Sequence, residues 1–181
     1  MQYDAAFFDL DGTLVDSVYD LYISINLTLS DLAFPIVSQR LVESWVGNGI
    51  DMLVKRALSG DIQVSEHLDE SLTNKAIAQF HKHYEEQVGQ YSVPYQHVET
   101  GLAALRGMQK ALITNKSRIF TEKLLDKLAL TNHFELIICG DDMAKKPSPE
   151  PLLFACKKLN IEPAKAIMIG DSKSDILAAK A

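Results

Sequence analysis

The stretch FFDLDGTLVDS, residues 7–17, places Asp9 and Asp11 directly after a short apolar run. Residues 3–10 are predicted to form a short buried strand, because they are mostly apolar and Gly12 then interrupts the pattern. In parallel α/β sheets, ligand sites lie at the carboxyl ends of the strands. This stretch therefore predicts the first strand of such a sheet and a polar site at its end.

The pattern changes twice after this strand. Residues 16 to about 88 show almost only helical spacing of apolar residues, and Ser38 and Ser65 are predicted N-caps of two of the helices. After a connector rich in turn-forming residues, short apolar strands alternate with helices, which is typical of parallel βαβ units. The sequence predicts an α/β fold in which a Rossmann-like parallel sheet core carries an inserted α-helical cap domain. The predicted core comprises residues 1–15 and 95–181, and the predicted cap comprises residues 16–94.

Composition limits the possible functions. The 181 residues, 47% of them hydrophobic, suffice for one substantial core, or for a core with a small satellite domain. The formal net charge of -6 disfavours nonspecific binding of nucleic acid, which requires a basic surface. No stretch predicts a membrane span or a signal peptide. Two cysteines, Cys139 and Cys156, support neither a disulfide framework nor a zinc site, so a cytoplasmic location is expected.

Polar residues follow the other predicted strands as well. TNKS (114–117) follows the second strand, GDDMAKKPSPEP (140–151) the third, and GDSKSD (170–175) the fourth. If these strands are neighbours, carboxylates, a hydroxyl and a lysine converge at one edge of the sheet. A single aspartate at a strand end is usually a turn former or a helix cap. Polar groups at every strand end together favour an active site.

Four motifs, DLDGT, ITNKS, KKPSPEP and GDSKSD, resemble in order and spacing those of the haloacid dehalogenase superfamily of phosphotransferases. The resemblance covers essentially the whole chain. DGTLVDS, WVGNGI followed by VKRAL, and GDDMAKKPSPEPLL are most similar to phosphoglycolate phosphatases, whose helical cap is inserted just after the first strand. The resemblance implies a phosphatase that acts on a small phosphorylated metabolite, with 2-phosphoglycolate as the first candidate.

A metal ion is expected at this site. A phosphate monoester is a dianion, so carboxylates approach it favourably only when a cation lies between them. Oxygen ligands without a cluster of His or Cys favour Mg²⁺. We expect the carboxylates of Asp9 and Asp171 to bind the ion. The resemblance adds the backbone carbonyl of Asp11, and Asp175 suits an indirect or water-mediated role.

The predicted reaction proceeds through the two aspartates of the first motif. Asp9 is expected to attack phosphorus and form an aspartyl-phosphate. Asp11 would protonate the leaving alkoxide and later deprotonate the attacking water. By resemblance, an acidic residue at position 11 favours phosphatase or phosphomutase chemistry. Phosphate contacts and charge neutralisation are expected from Gly12, Thr13, Thr114, Asn115 and Lys146, with Lys116 on the phosphate side or in a supporting role.

Substrate selection is expected to depend on the predicted cap, because phosphate contacts are common to all phosphomonoesters. The candidate loop is WVGNGI, residues 45–50, in which Gly47 would allow close backbone approach and Asn48 would offer an amide to a carboxylate or hydroxyl. A simple turn between two helices explains these residues equally well.

Two other functions stay open at this point. A β-phosphoglucomutase-like enzyme would transfer the phosphoryl group to a second sugar hydroxyl instead of releasing phosphate. A non-catalytic member of the superfamily would bind a phosphorylated ligand without turning it over. Relatives normally continue beyond the fourth motif with a further strand, so the fourth strand is expected to form a bare edge of the sheet here.

Overall fold

A computed structural model describes residues 2–181, and the chain divides into two compact units. The first unit comprises two segments, the described residues up to Asp16 and Val93–Ala181. The second unit comprises Ser17–Ser92. In the described residues, no helix has the length and apolar character that crossing a bilayer requires.

The first unit contains a four-stranded parallel sheet with the order β5-β4-β1-β6. The strands of the chain are β1 (Ala5–Phe8), β2 (Val15–Asp16), β3 (Val93–Pro94), β4 (Gln109–Ile113), β5 (Leu136–Ile138) and β6 (Ala166–Ile169). Every residue of the central strand β1 is buried, as expected for a parallel strand that has neighbours on both sides. The predicted α/β fold with a Rossmann-like parallel sheet is confirmed.

Strand register brings the ends of three strands to the same level. Phe8, the last residue of β1, pairs with Leu112 of β4 and with Ile169 of β6. The polar residues that follow these three strands therefore emerge side by side at one edge of the sheet.

The first unit also contains α-helices. They are α5 (Val98–Ala104), α6 (Arg118–Lys127), α7 (Glu150–Leu159) and α8 (Lys173–Lys180). Phe7 and Ile113 of the sheet pack in one core with Leu152 of α7 and Ala178 of α8. Each large apolar side chain buried there contributes about 1.5–3 kcal/mol, and the core holds the loops after the strands in place.

The second unit is helical. Its helices are α1 (Val18–Asp31), α2 (Gln39–Trp45), α3 (Ile50–Ser59) and α4 (Glu70–Gln87). Its core includes Ile25 of α1, Trp45 of α2 and two aromatic residues of α4, Phe80 and Tyr84, whose rings stack with centroids 5.3 Å apart.

One predicted helix cap is confirmed and the other is wrong. Ser38 is the N-cap of α2, and its side chain accepts a hydrogen bond from the backbone N–H of Leu41. Helix α4 begins four residues later than predicted, because Asp69 rather than Ser65 is its N-cap and accepts from Leu72 N at 2.7 Å. Aspartate caps a helix as well as serine does, and its charge also interacts favourably with the helix dipole.

A buried aspartate joins both ends of the second unit. Asp20 of α1 is fully buried, and its carboxylate accepts hydrogen bonds from the backbone N–H groups of Gly89, Tyr91 and Ser92 at 2.8–3.2 Å. The hydroxyl of Ser92 donates to the same carboxylate at 2.5 Å. The segment that leaves α4 is thereby held against the first helix of the unit.

We predict that Asp20→Asn destabilises the second unit by about 3 kcal/mol, because an amide replaces a buried, charged acceptor and turns an NH₂ group toward N–H donors. Urea unfolding followed by the fluorescence of Trp45, the single tryptophan, measures this change. The control is Asp51→Asn, the same substitution at an exposed position of α3. An unfolding midpoint that shifts equally in both variants would contradict the prediction.

Candidate active site

Lys146 contacts residues at the end of β4, directly after β1 and in the first turn of α8. Its Nζ donates to Asp9 Oδ1 at 2.8 Å, to Asp175 Oδ1 at 2.6 Å and to the backbone carbonyl of Ile113 at 2.6 Å. Only 2% of the Lys146 side chain is exposed. A lysine is buried to this extent only where anionic or carbonyl partners replace its hydration, so these contacts fix the ammonium group beside Asp9.

Three carboxylates form an acidic cluster next to this lysine. Asp9, Asp171 and Asp175 each offer one oxygen, and these oxygens lie within 4.8 Å of one another. When all three are ionised, the single positive charge of Lys146 leaves two formal negative charges uncompensated. Oxygen ligands with this excess charge suit a hard divalent cation such as Mg²⁺.

Asp175 contributes to this cluster from a helix start. Its Oδ2 accepts from the backbone N–H and the hydroxyl of Ser172, at 3.0 and 2.6 Å, and the Ser172 side chain caps α8 in return. Both oxygens of Asp175 therefore accept hydrogen bonds from the protein itself. This arrangement favours an indirect contribution of Asp175 to a metal site. Asp171, by contrast, is exposed and accepts one hydrogen bond, from Thr13 Oγ1 at 3.0 Å.

Two glycines leave room for the carboxylates of Asp171 and Asp175. Gly12 has φ +88°, and a Cβ at this position would overlap the carboxylate of Asp171. A Cβ on Gly170 would overlap the carboxylate of Asp175 in the same way. Gly12 was predicted from the sequence, whereas the role of Gly170 was missed; its position directly after an apolar strand is the signal that points to it.

Burial raises the pKa of Asp9 to about 7, and the neighbouring carboxylates of Asp175 and Asp11 act in the same direction. Lys146 opposes this rise in pKa through its charge and its hydrogen bond. Ionised Asp9 therefore needs more positive charge than the lysine supplies, and a divalent cation next to the carboxylate would provide it.

Asn115, in the loop after β4, also holds Lys146 in place. The side chain of Asn115 donates from Nδ2 to the carbonyl of Lys146 and accepts from its N–H at Oδ1, both at 2.9 Å. The amide side chain predicted to face phosphate thus binds the backbone of Lys146. Thr114 lies one residue earlier, and its hydroxyl oxygen accepts from the N–H of Lys116 at 3.2 Å.

Gly140, which the sequence reasoning missed, supports this loop. Its N–H donates to the carbonyl of Lys116 at 2.8 Å, and a Cβ on Gly140 would overlap the backbone carbonyl of Asn115. A glycine at the end of β5 therefore permits the close approach of two strand-end loops.

Lys116 contacts the second aspartate of the first motif. Its Nζ lies 3.0 Å from Asp11 Oδ1 and 3.1 Å from Oδ2. The two lysines of the site are thus divided between the two aspartates, with Lys146 on Asp9 and Lys116 on Asp11. The sequence predicted that Lys116 lies on the phosphate side or has a supporting role. It did not identify Asp11 as the partner of Lys116.

Gly47 and Asn48 lie in the second unit, between α2 and α3. Gly47 has φ +111°, a conformation that favours glycine. Asn48 Oδ1 accepts from Arg56 Nη1 at 3.0 Å, and the same nitrogen donates to the carbonyl of Trp45 at 2.7 Å. Arg56 thus holds this loop against α3, and burial lowers the pKa of its guanidinium.

Similarity to known proteins extends over nearly the whole chain. The family described as haloacid dehalogenase-like hydrolase matches residues 6–181. A curated protein named phosphoglycolate phosphatase from Colwellia psychrerythraea is 49% identical over 177 residues, which are 96% of this chain and 78% of that protein. A protein of the same name from Neisseria meningitidis is 42% identical over 180 residues, covering 98% of this chain and 76% of that protein.

Solved structures agree with these sequence relatives. A crystal structure described as a predicted phosphoglycolate phosphatase from Haemophilus somnus 129pt superposes with a TM-score of 0.91 at 35% identity, covering 99% of this chain and 82% of that one. A protein of Lactobacillus delbrueckii subsp. bulgaricus has a TM-score of 0.90 at 24% identity, covering 99% and 83% of the two chains, and shares the fold.

Proposed function

Because the chain belongs to the haloacid dehalogenase-like hydrolase family and is a phosphatase, we propose that it hydrolyses a small phosphomonoester through an aspartyl-phosphate on Asp9. 2-Phosphoglycolate is the first candidate substrate, because the relatives at 49% and 42% identity are named phosphoglycolate phosphatase. The resemblance inferred from the four motifs is confirmed at the level of the family. The observation that carries the proposal is the buried contact of Lys146 with Asp9 and Asp175, next to Asp171.

The acidic cluster supports Mg²⁺ as the cofactor. We assign the ion to the carboxylates of Asp9 and Asp171 and the backbone carbonyl of Asp11, with Asp175 contributing indirectly through Lys146 and Ser172. When bound, the ion would offset the repulsion between these carboxylates and the phosphate dianion and would favour the ionised form of Asp9.

The reaction requires two displacements at phosphorus. An Asp9 oxygen attacks phosphorus, the bond to the leaving oxygen breaks, and Asp11 gives its proton to the departing alkoxide. Water then attacks the aspartyl-phosphate, its proton passes to Asp11, and the bond between Asp9 and phosphorus breaks to release inorganic phosphate. In this proposal the phosphate oxygens are held by Lys146, by the hydroxyl of Thr114 and by the backbone N–H of Asn115. Gly12 and Thr13 shape the loop beside them, because the N–H of Gly12 donates to the carbonyl of Val15 and the hydroxyl of Thr13 donates to Asp171.

Substrate choice has to come from outside these phosphate contacts. We propose that Gly47 and Asn48 of the second unit contribute to it, since the first unit supplies only groups that any phosphomonoester would use. The proposed substrate is a small metabolite. We expect no binding to nucleic acid or to a lipid surface, which agrees with the net charge of -6. Two buried free cysteines, Cys139 and Cys156, support a reducing compartment such as the cytoplasm.

We predict that the purified chain releases inorganic phosphate from 2-phosphoglycolate in the presence of Mg²⁺, and that EDTA stops the release until Mg²⁺ is added back in excess. A set of small phosphomonoesters, assayed in parallel by phosphate release, ranks the substrates by kcat/KM. Transfer of the phosphoryl group to a second hydroxyl of a hexose phosphate, without phosphate release, would instead identify a mutase. A folded chain that releases phosphate from none of the esters would identify a non-catalytic binding protein.

A further inference from the structure

The ion pair between Lys116 and Asp11 is not explained by phosphate binding. The ammonium group lies almost equally far from both carboxylate oxygens, at 3.0 and 3.1 Å. The exposed fractions of the two side chains are 3% for Lys116 and 13% for Asp11. A contact of this kind is shielded from water and restricts the carboxylate to one orientation.

The backbone of Lys116 is fixed at both of its polar groups. Its N–H donates to Thr114 Oγ1 at 3.2 Å, and its carbonyl accepts from the N–H of Gly140 at 2.8 Å. The absence of a Cβ on Gly140 allows this approach, because the neighbouring carbonyl of Asn115 occupies that space. The lysine therefore extends from a rigid loop rather than from a mobile one.

Sheet register places this loop opposite Asp11. Phe8 of β1 pairs with Leu112 of the neighbouring strand β4. Asp11 and Lys116 follow these paired residues by three and four positions, so they emerge at nearly the same level from adjacent strands. Asp11 is also fixed through its own backbone, which forms a bridge with Val15.

We propose that Lys116 is a positioning residue: it holds the side chain of Asp11 in the orientation from which the protonated carboxyl group of Asp11 gives its proton to the leaving oxygen. This inference rests on the proposed function, in which Asp11 gives its proton to the alkoxide as the bond between phosphorus and oxygen breaks. General acid catalysis depends on the distance and orientation between the acid and the leaving oxygen. Lys116 acts through Asp11 in this assignment and does not itself contact the phosphate.

Substrates with different leaving groups separate this role from phosphate binding. An alkyl phosphate such as 2-phosphoglycolate leaves as a strongly basic alkoxide and needs the proton. p-Nitrophenyl phosphate leaves as a stabilised phenolate and does not. The ratio kcat/KM covers the steps up to formation of the aspartyl-phosphate, so it reports on proton transfer to the leaving group.

We predict that Lys116→Met lowers kcat/KM by about 10²-fold for the best alkyl phosphate and by less than about 3-fold for p-nitrophenyl phosphate. In an Asp11→Asn background, the same substitution should have no further effect on the alkyl substrate. The matched control is Lys157→Met, at an exposed position of α7, which should leave both ratios unchanged. Retained activity on p-nitrophenyl phosphate also shows that the Lys116 variant is folded.

Three results would overturn the inference. Equal losses on the two substrates would assign Lys116 to phosphate binding or to the structure of the loop. Unchanged activity on both would remove it from the reaction, and a further loss in the Asp11→Asn background would show that it does not act through Asp11. A wild-type chain inactive on every ester would overturn the proposed function, and this inference with it, whereas the first three results leave the proposed function intact.

Discussion

Asp9→Asn is expected to abolish phosphate release, with a loss of more than about 10⁴-fold in kcat, because it removes a covalent nucleophile. An amide oxygen has nearly the same shape as the carboxylate oxygen and still accepts a hydrogen bond from Lys146, yet it is a far weaker nucleophile. The measurement is phosphate release from the best substrate of the screen in saturating Mg²⁺. The control is Asp4→Asn, the same change at an exposed position just before β1. Residual turnover near the wild-type rate would exclude Asp9 as the nucleophile.

Stability separates this chemical effect from misfolding. The folded-state pKa of Asp9 is about 7, above the ordinary value of 3.8, so ionising this group inside the metal-free fold costs free energy. That cost is absent below about pH 4, grows between about pH 4 and 7, and stays constant above pH 7. Asp9→Asn removes the cost. In EDTA at pH 8 the variant should therefore be at least as stable to heat as the wild type, and its advantage should shrink as the pH falls from 7 to 4.

The fold was predictable from local patterns. Alternating strands and helices after about residue 100 predicted the parallel sheet, and polar residues after each strand marked the edge where Lys146 contacts Asp9. Ligand sites at strand ends are a consequence of sheet topology, so the chain order of the motifs sufficed to group them. The error at helix α4 is of a different kind: Ser65 and Asp69 are both good N-caps, and only the course of the backbone distinguishes them.

Contacts between distant segments were not predictable in this way. Asp20 lies 72 residues before Ser92, and nothing in the first turn of α1 indicates that its carboxylate accepts hydrogen bonds from that segment. The pairing of Lys116 with Asp11 likewise depends on which strands are neighbours and in which register. Gly140 and Gly170 matter because of side-chain and backbone atoms that approach them from elsewhere in the fold. Such contacts depend on tertiary packing. A single sequence determines this packing but does not show which distant residues meet.

Lys146→Met should lower kcat/KM by about 10³-fold, because it removes the cation that compensates Asp9 during phosphoryl transfer. It should also destabilise the metal-free protein by about 3–5 kcal/mol, the usual cost of removing one partner from a buried ion pair. Two buried carboxylates, Asp9 and Asp175, would then lose their shared ammonium group. Methionine keeps much of the length and apolar surface of the lysine side chain, so the effects report mainly on the charge.

Lys145→Met provides a matched control one residue away. Lys145 is exposed, whereas Lys146 is buried with its Nζ 2.8 Å from Asp9, so the same substitution should leave turnover and stability nearly unchanged at position 145. Thermal unfolding in EDTA and kcat/KM in Mg²⁺ measure the two effects separately. Because Mg²⁺ and Lys146 both offset the charge of the same carboxylates, added Mg²⁺ should restore more stability to Lys146→Met than it adds to the wild type, while turnover stays low. Equal stabilisation of both proteins by Mg²⁺ would mean that the ion and the lysine do not share Asp9 and Asp175, which would contradict the metal site proposed for this cluster.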